Sequence, residues 1–153
     1  MVDQNRIEYD VVIVGGGNAA LCASLSAAHA GSKVLLMEKA PRHLRGGNCP
    51  YTGGGFRFVH DGKNDLEPLL TNPFLMEQID TIQPYTREQY RQDMLSRTGH
   101  MTNPDLLDRL VTDSYSTVRW LASLGISFEL SGSSRTGRQG PHDSRVGVLA
   151  SGS

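Results

Sequence analysis

Cysteine is scarce. Cys22 and Cys49 are the two among 153 residues, too few for a disulfide framework and too widely spaced for the paired ligands of a structural zinc site. The five histidines show no metal-ligand spacing either, so no metal site is assigned. Charge of one sign is also lacking: 15 lysines and arginines face 16 acids, a formal net charge of -1. No global field therefore draws the chain to nucleic acid or to an anionic membrane surface. No apolar run approaches the roughly 20 residues of a membrane span. The opening stretch MVDQNRIEYD carries Asp3, Glu8 and Asp10 where a secretory signal would have an apolar centre. These absences point to a reducing, aqueous compartment. The expectation is a cytoplasmic protein, with organelle import left open, and neither a nucleic-acid partner nor a membrane span.

Glycine, by contrast, is plentiful. The chain has 17, well above the roughly 7% of an average protein, and the excess falls mainly in two clusters, 15–17 and 46–55. With 38% hydrophobic residues there is apolar material for one modest core.

Tyr9 to Val14 is a short β-branched run of the kind that forms a strand buried on both faces. Gly15–Gly17 stop it. Asn18 to Ala30 is rich in small helix formers, suited to a helix lying close on a sheet, with Gly31 as its stop. Lys33 to Met37 reads as the next buried strand, ending at Glu38. Strand, glycine turn, helix and strand make a βαβ unit with a parallel pair. Residues 40–62 lack periodicity and read as a long loop. The chain then turns helical. Thr86 and Gln89 form a capping box ahead of a helix that ends at Gly99. Asn103 caps another, with Pro104 in its first turn and Gly125 past its end. Leu107, Leu110, Val111, Val118 and Leu121 share one stripe of that helix. Ile126, Phe128 and Leu130 alternate as a short strand. The last segment, 131–153, is rich in Gly, Ser and Arg and is expected to be poorly ordered.

The glycines now have a use. Gly15, Gly17 and Ala20 fit the pattern in which the first residue makes a tight turn, the second lets a diphosphate approach the backbone, and the third packs helix on strand. The helix from Asn18 points its free N–H groups and positive dipole end at that diphosphate. Glu38 lies at the end of the second strand, where its carboxylate accepts both hydroxyl protons of an adenosine ribose and disfavours a 2′-phosphate. The pattern alone leaves NAD open beside FAD.

The second cluster, RGGNCPYTGGGFR (45–57), with DVVIVGGGNAALCAS and EKAPRHLRGGN, resembles the flavoprotein family of fumarate reductase and succinate dehydrogenase. The tricarballylate dehydrogenase branch is the nearest likeness. The resemblance covers roughly 8–130 and is specific within 10–62. It implies an α/β fold: a Rossmann-like FAD-binding βαβ unit with a parallel sheet and flavin-contacting loop (1–62), a mainly helical continuation of the FAD domain (63–130), and a tail (131–153). This is incomplete relative to the family. It implies that Gly15, Gly16, Gly17, Ala19, Ala20 and Glu38 bind the ADP half of FAD, with Lys39 bordering the adenosine. Gly46, Gly47, Asn48, Cys49, Thr52, Gly53 and Gly54 would line the pyrophosphate and isoalloxazine. Some relatives attach the flavin through a histidine in this loop; Asn48 stands at the matching position, so dissociable, non-covalent FAD is expected.

The activity so implied is hydride transfer between flavin N5 and a small carboxylic acid resembling tricarballylate, fumarate or succinate, in a longer enzyme. Relatives run to several hundred residues, and no residue here matches their proton donor, so no catalytic residue is assigned. A non-catalytic fragment that binds FAD weakly, or acts only by association through an uncovered helical face, is the alternative. His60 either touches flavin or substrate or makes local hydrogen bonds, and Arg42 and Arg45 either touch phosphate or are solvated. Cys49 is a redox-active thiol or a small loop filler.

Overall fold

Two short strands, Val11–Val14 (β1) and Val34–Met37 (β2), pair in parallel with Val11 opposite Val34 and Val14 opposite Met37. Between them runs α1, Asn18–His29, which packs on both. The computed structural model describes residues 7–52, 54–70, 79–80, 82–130 and 148–151, and the chain divides into two units, Met1–Thr52 and Gly53–Ser153.

The βαβ unit follows local chemistry closely. β-branched residues carry β1, small residues carry α1, and Gly31, at φ +85, turns the chain out of the helix. Asp10 accepts the Lys33 N–H at 2.7 Å and so aligns the entrances of the two strands. Burial departs from expectation. Val12 is 53% and Val14 79% exposed, and α1 has no buried residue. One helix covers one face of a two-stranded sheet, and within this unit nothing described covers the other.

In the second unit, Gly55–Phe56 (β3), Ser127–Leu130 (β4) and Val148–Ser151 (β5) form an antiparallel sheet in the order β3-β5-β4. Lys63–Leu66 (α2), Arg87–Arg97 (α3) and Pro104–Ser123 (α4) supply the helices. Both predicted caps are present: Thr86 and Gln89 close a reciprocal box on α3, and the Asn103 side chain accepts from the Asp105 and Leu106 N–H groups at the start of α4. Two expectations need correction. Residues 40–62 are not all loop, since Cys49–Tyr51 is a 3₁₀ turn and β3 follows it. Nor is all of 131–153 without order: Val148–Ser151 is a strand, held by backbone ladders to β4 and β3. The rest of that tail lies outside the described residues.

Phe58, Leu66, Ile79, Val111 and Phe128 form the most deeply buried part of this unit. Along α4, Leu107, Val111, Ser114, Val118 and Leu121 face inward. Of the stripe, Leu107, Val111, Val118 and Leu121 are buried, and Leu110, at its edge, is 42% exposed. Ser114 was hidden from pattern reading by its polarity. Its hydroxyl accepts from the Val59 N–H and donates to the Val111 carbonyl, each at 3.0 Å, so its burial leaves no polar group unsatisfied. Among the described residues no helix is long and apolar enough to cross a membrane.

Candidate functional site

The end of β1 is where the chain's chemistry gathers. The Gly15 N–H donates to the Met37 carbonyl at 2.6 Å, a last rung between the strands, and φ +111 at Gly15 then turns the chain in a way a side chain would resist. A Cβ on Gly16 would stand 2.7 Å from Glu38 Oε2, so the turn and the carboxylate need each other's shape. Gly17 is the N-cap of α1 and offers no side-chain cap. The first turn of the helix, with Ala19 and Ala20, therefore presents backbone N–H groups and the positive end of its dipole, an arrangement suited to an anion.

Glu38 accepts hydrogen bonds from the backbone of Ala40, at 2.9 Å, and of Gly46, at 3.5 Å. Hydrogen bonding from Ala40, and next from Gly46, holds its carboxyl below the ordinary 4.5, with Gly16 and Lys39 adding to the effect and partial desolvation opposing it. At neutral pH it is an ionised acceptor. That is the state needed to receive ribose hydroxyl protons.

The second glycine cluster reaches the same place. Gly46 is buried at φ +97, with the Pro50 ring 3.5 Å from where its Cβ would be. The Cys49 N–H returns to the Gly46 carbonyl at 3.1 Å, and Cys49 Sγ accepts from the Asn18 N–H at 3.2 Å. Thr52 Oγ1 donates to the Cys49 carbonyl at 3.1 Å. The structure thus brings together Gly15, Gly16, Gly17, Glu38, Gly46 and Cys49. Lys39, Gly47, Asn48 and Thr52 flank them as exposed residues. Gly54 belongs to the second unit, and Gly53 lies outside the described residues. Arg42 and Arg45 are exposed. The contact of Cys49 with the helix start, and that of Glu38 with the second cluster, are long-range features without a local sequence signal. The donor set and the absence of side-chain bulk fit a diphosphate with an adjoining ribose.

His60 is a different case. It is 3% exposed, its Nδ1 accepts the Gly62 N–H at 3.2 Å, and its ring packs near Phe58 and Tyr85. This is the local hydrogen-bonding role. Burial lowers its pKa from the ordinary 6.5, and Asp65 and Asp61 partly oppose that shift. A depressed folded value means the unfolded chain takes up the proton first. The ring's contribution to stability is present above pH 6.5 and is lost as pH falls from there through the lowered folded value. Denaturant midpoints measured from pH 7.5 to 5, at about half-unit steps, should show this acid-side loss, and His60→Phe should flatten it. Among the described residues no group of three histidines, cysteines or carboxylates could hold a metal ion.

Residues 10–150 match the family described as an FAD binding domain. The chain is 32% identical over 118 residues to the NADH:fumarate oxidoreductase of Klebsiella pneumoniae (strain 342), covering 77% of this chain and 11% of that protein. It is 36% identical over 124 residues to the vinyl phenol reductase of Lactiplantibacillus plantarum (strain ATCC BAA-793 / NCIMB 8826 / WCFS1), covering 79% of this chain and 21% of the other. Among solved structures, the open conformation of a flavocytochrome c3 fumarate reductase superposes with a TM-score of 0.61 at 25% identity, over 93% of this chain and 21% of that one. The chain therefore spans a small part of the length of the proteins it resembles.

Proposed function

Since the chain belongs to the FAD-binding domain family, whose cofactor is FAD, we propose that it is the FAD-binding portion of a flavin-dependent oxidoreductase of small carboxylic acids. The observation that carries this reading is the meeting of both glycine clusters at one helix start whose N-cap residue has no side chain, with the ionised Glu38 between them. When bound, FAD supplies a centre that takes or gives a hydride at a substrate carbon. The chain's own part is to bind and orient. Gly15, Gly16 and Gly17 leave room for the diphosphate, the first turn of α1 offers it N–H donors, and Glu38 receives the ribose hydroxyls. Gly46, Gly47, Cys49 and Thr52 extend the cradle toward the flavin.

The likeness of the 45–57 loop to the tricarballylate dehydrogenase branch supports tricarballylate, fumarate or succinate as the substrate class. Asn48 supports dissociable rather than covalent flavin, and the cytoplasm is the proposed compartment. Titration calorimetry with FAD, FMN and NAD tests the reading. FAD should bind at least about tenfold more tightly than either, a difference of about 1.4 kcal/mol. FMN has no adenosine ribose for Glu38, and NAD makes no use of a flavin loop. Denaturation should leave no colour on the chain. Tighter NAD binding would overturn the assignment, and flavin retained after denaturation would overturn the non-covalent part of it.

A further inference from the structure

Glu38 sits between two chain segments that are otherwise far apart in sequence, and it touches both. Its Oε2 lies against Gly16 in the first glycine cluster and accepts the Gly46 N–H of the second, while Oε1 accepts the Ala40 N–H. The far side of the second cluster is held independently, through Cys49 Sγ on the Asn18 N–H. We infer that Glu38 is a positioning residue as well as a ribose ligand: it latches the second glycine cluster to the first, so that the diphosphate cradle is assembled before any dinucleotide arrives. This rests on the FAD reading of the same site for its consequence, though not for the latch itself.

The chemistry allows both roles at once. An ionised carboxylate has about four lone-pair sites on two oxygens, and the Ala40 bond on Oε1 and the Gly46 bond on Oε2 leave lone pairs on both oxygens for the two ribose hydroxyls. The glycine at 16 is what admits the carboxylate, since any Cβ there would displace it. A cradle closed in advance spares the ligand the cost of ordering residues 40–49 on binding.

Aspartate separates the two roles. It keeps a carboxylate at the end of β2, which is enough for a ribose. It is one methylene shorter, though, and the Gly46 contact is already at 3.5 Å, so the latch is lost. The test uses the 153-residue chain without ligand and then with FAD. In two-dimensional amide NMR, the Gly16, Ala40 and Gly46 resonances should follow one titration with a midpoint below 4.5, and Glu38→Gln should abolish it. FAD affinity should fall about 100-fold in Glu38→Gln and about tenfold in Glu38→Asp, about 2.7 and 1.4 kcal/mol. Gly16 and Gly46 amides that fail to titrate together would overturn the latch. So would a Glu38→Asp chain that binds FAD as tightly as the unaltered one, the result a ribose-only role requires. Joint titration in a chain that binds no FAD supports the latch and removes the FAD reading instead.

Discussion

Gly17→Ala should cost the chain about 100-fold in FAD affinity while leaving its thermal stability nearly unchanged. Gly17 has φ -78 and ψ 176, a conformation open to any residue. A Cβ there would meet the Gly46 carbonyl at 3.8 Å and Cys49 Sγ at 3.9 Å, ordinary contact distances. The fold thus has room for the methyl group, and the change at the helix N-cap costs under about 1 kcal/mol. On the proposed FAD reading the ligand does not have that room. The second glycine of this turn is the one whose bare backbone the diphosphate must approach. Forcing extra bulk into a close-packed contact costs about 1–3 kcal/mol, and about 2.7 kcal/mol is 100-fold. Gly15→Ala makes the contrast, since φ +111 strains any side chain and the fold itself should suffer. Calorimetric titration with FAD, paired with thermal melts, reads both quantities. An alanine variant that binds FAD within about twofold of the unaltered chain would mean that the diphosphate does not pass over Gly17.

Phe128→Ala should destabilise the second unit by about 3–5 kcal/mol, the usual cost of emptying a buried aromatic site. Phe128 is fully buried on β4 and meets Phe56 edge to face, with ring centroids 5.5 Å apart and planes at 90°. Its removal leaves a cavity and one unpaired ring, and such a ring pair adds about 0.5–1.5 kcal/mol beyond burial. The sheet backbone stays able to pair, so the loss is one of packing. Trp120, the chain's one tryptophan, lies on α4 in the same unit and reports its unfolding by fluorescence. The urea midpoint should fall at nearly constant slope. A loss below about 1 kcal/mol would show that this site collapses around the gap, or that Phe128 is less central than its burial indicates.

The elements near the chain's start were legible because their causes are local. A β-branched run, three glycines, a small-residue helix and a second apolar run define β1, α1 and β2 to within two residues at each end. The caps at Thr86 and Asn103 were equally readable, because a side chain two or three residues from the amide it serves is a sequence-level fact. The candidate site was readable in part for the same reason. Gly15, Gly17 and Glu38 stand at spacings set by one strand, one turn and one helix.

Local sequence by itself determined the βαβ unit, its glycine turn and the acid at the end of β2, each written within a few residues or in one repeating period. Only the tertiary structure decided that Glu38 binds both glycine clusters, that Cys49 meets the start of α1, and that Ser114 is a satisfied core residue. It alone paired Val148–Ser151 with strands near 55 and 128. Those contacts join residues 18 to more than 90 positions apart, or, for Glu38 and Gly46, across a loop without periodicity. No period or cap signals such a meeting, because it depends on how whole elements pack and which backbone donors they leave unpaired.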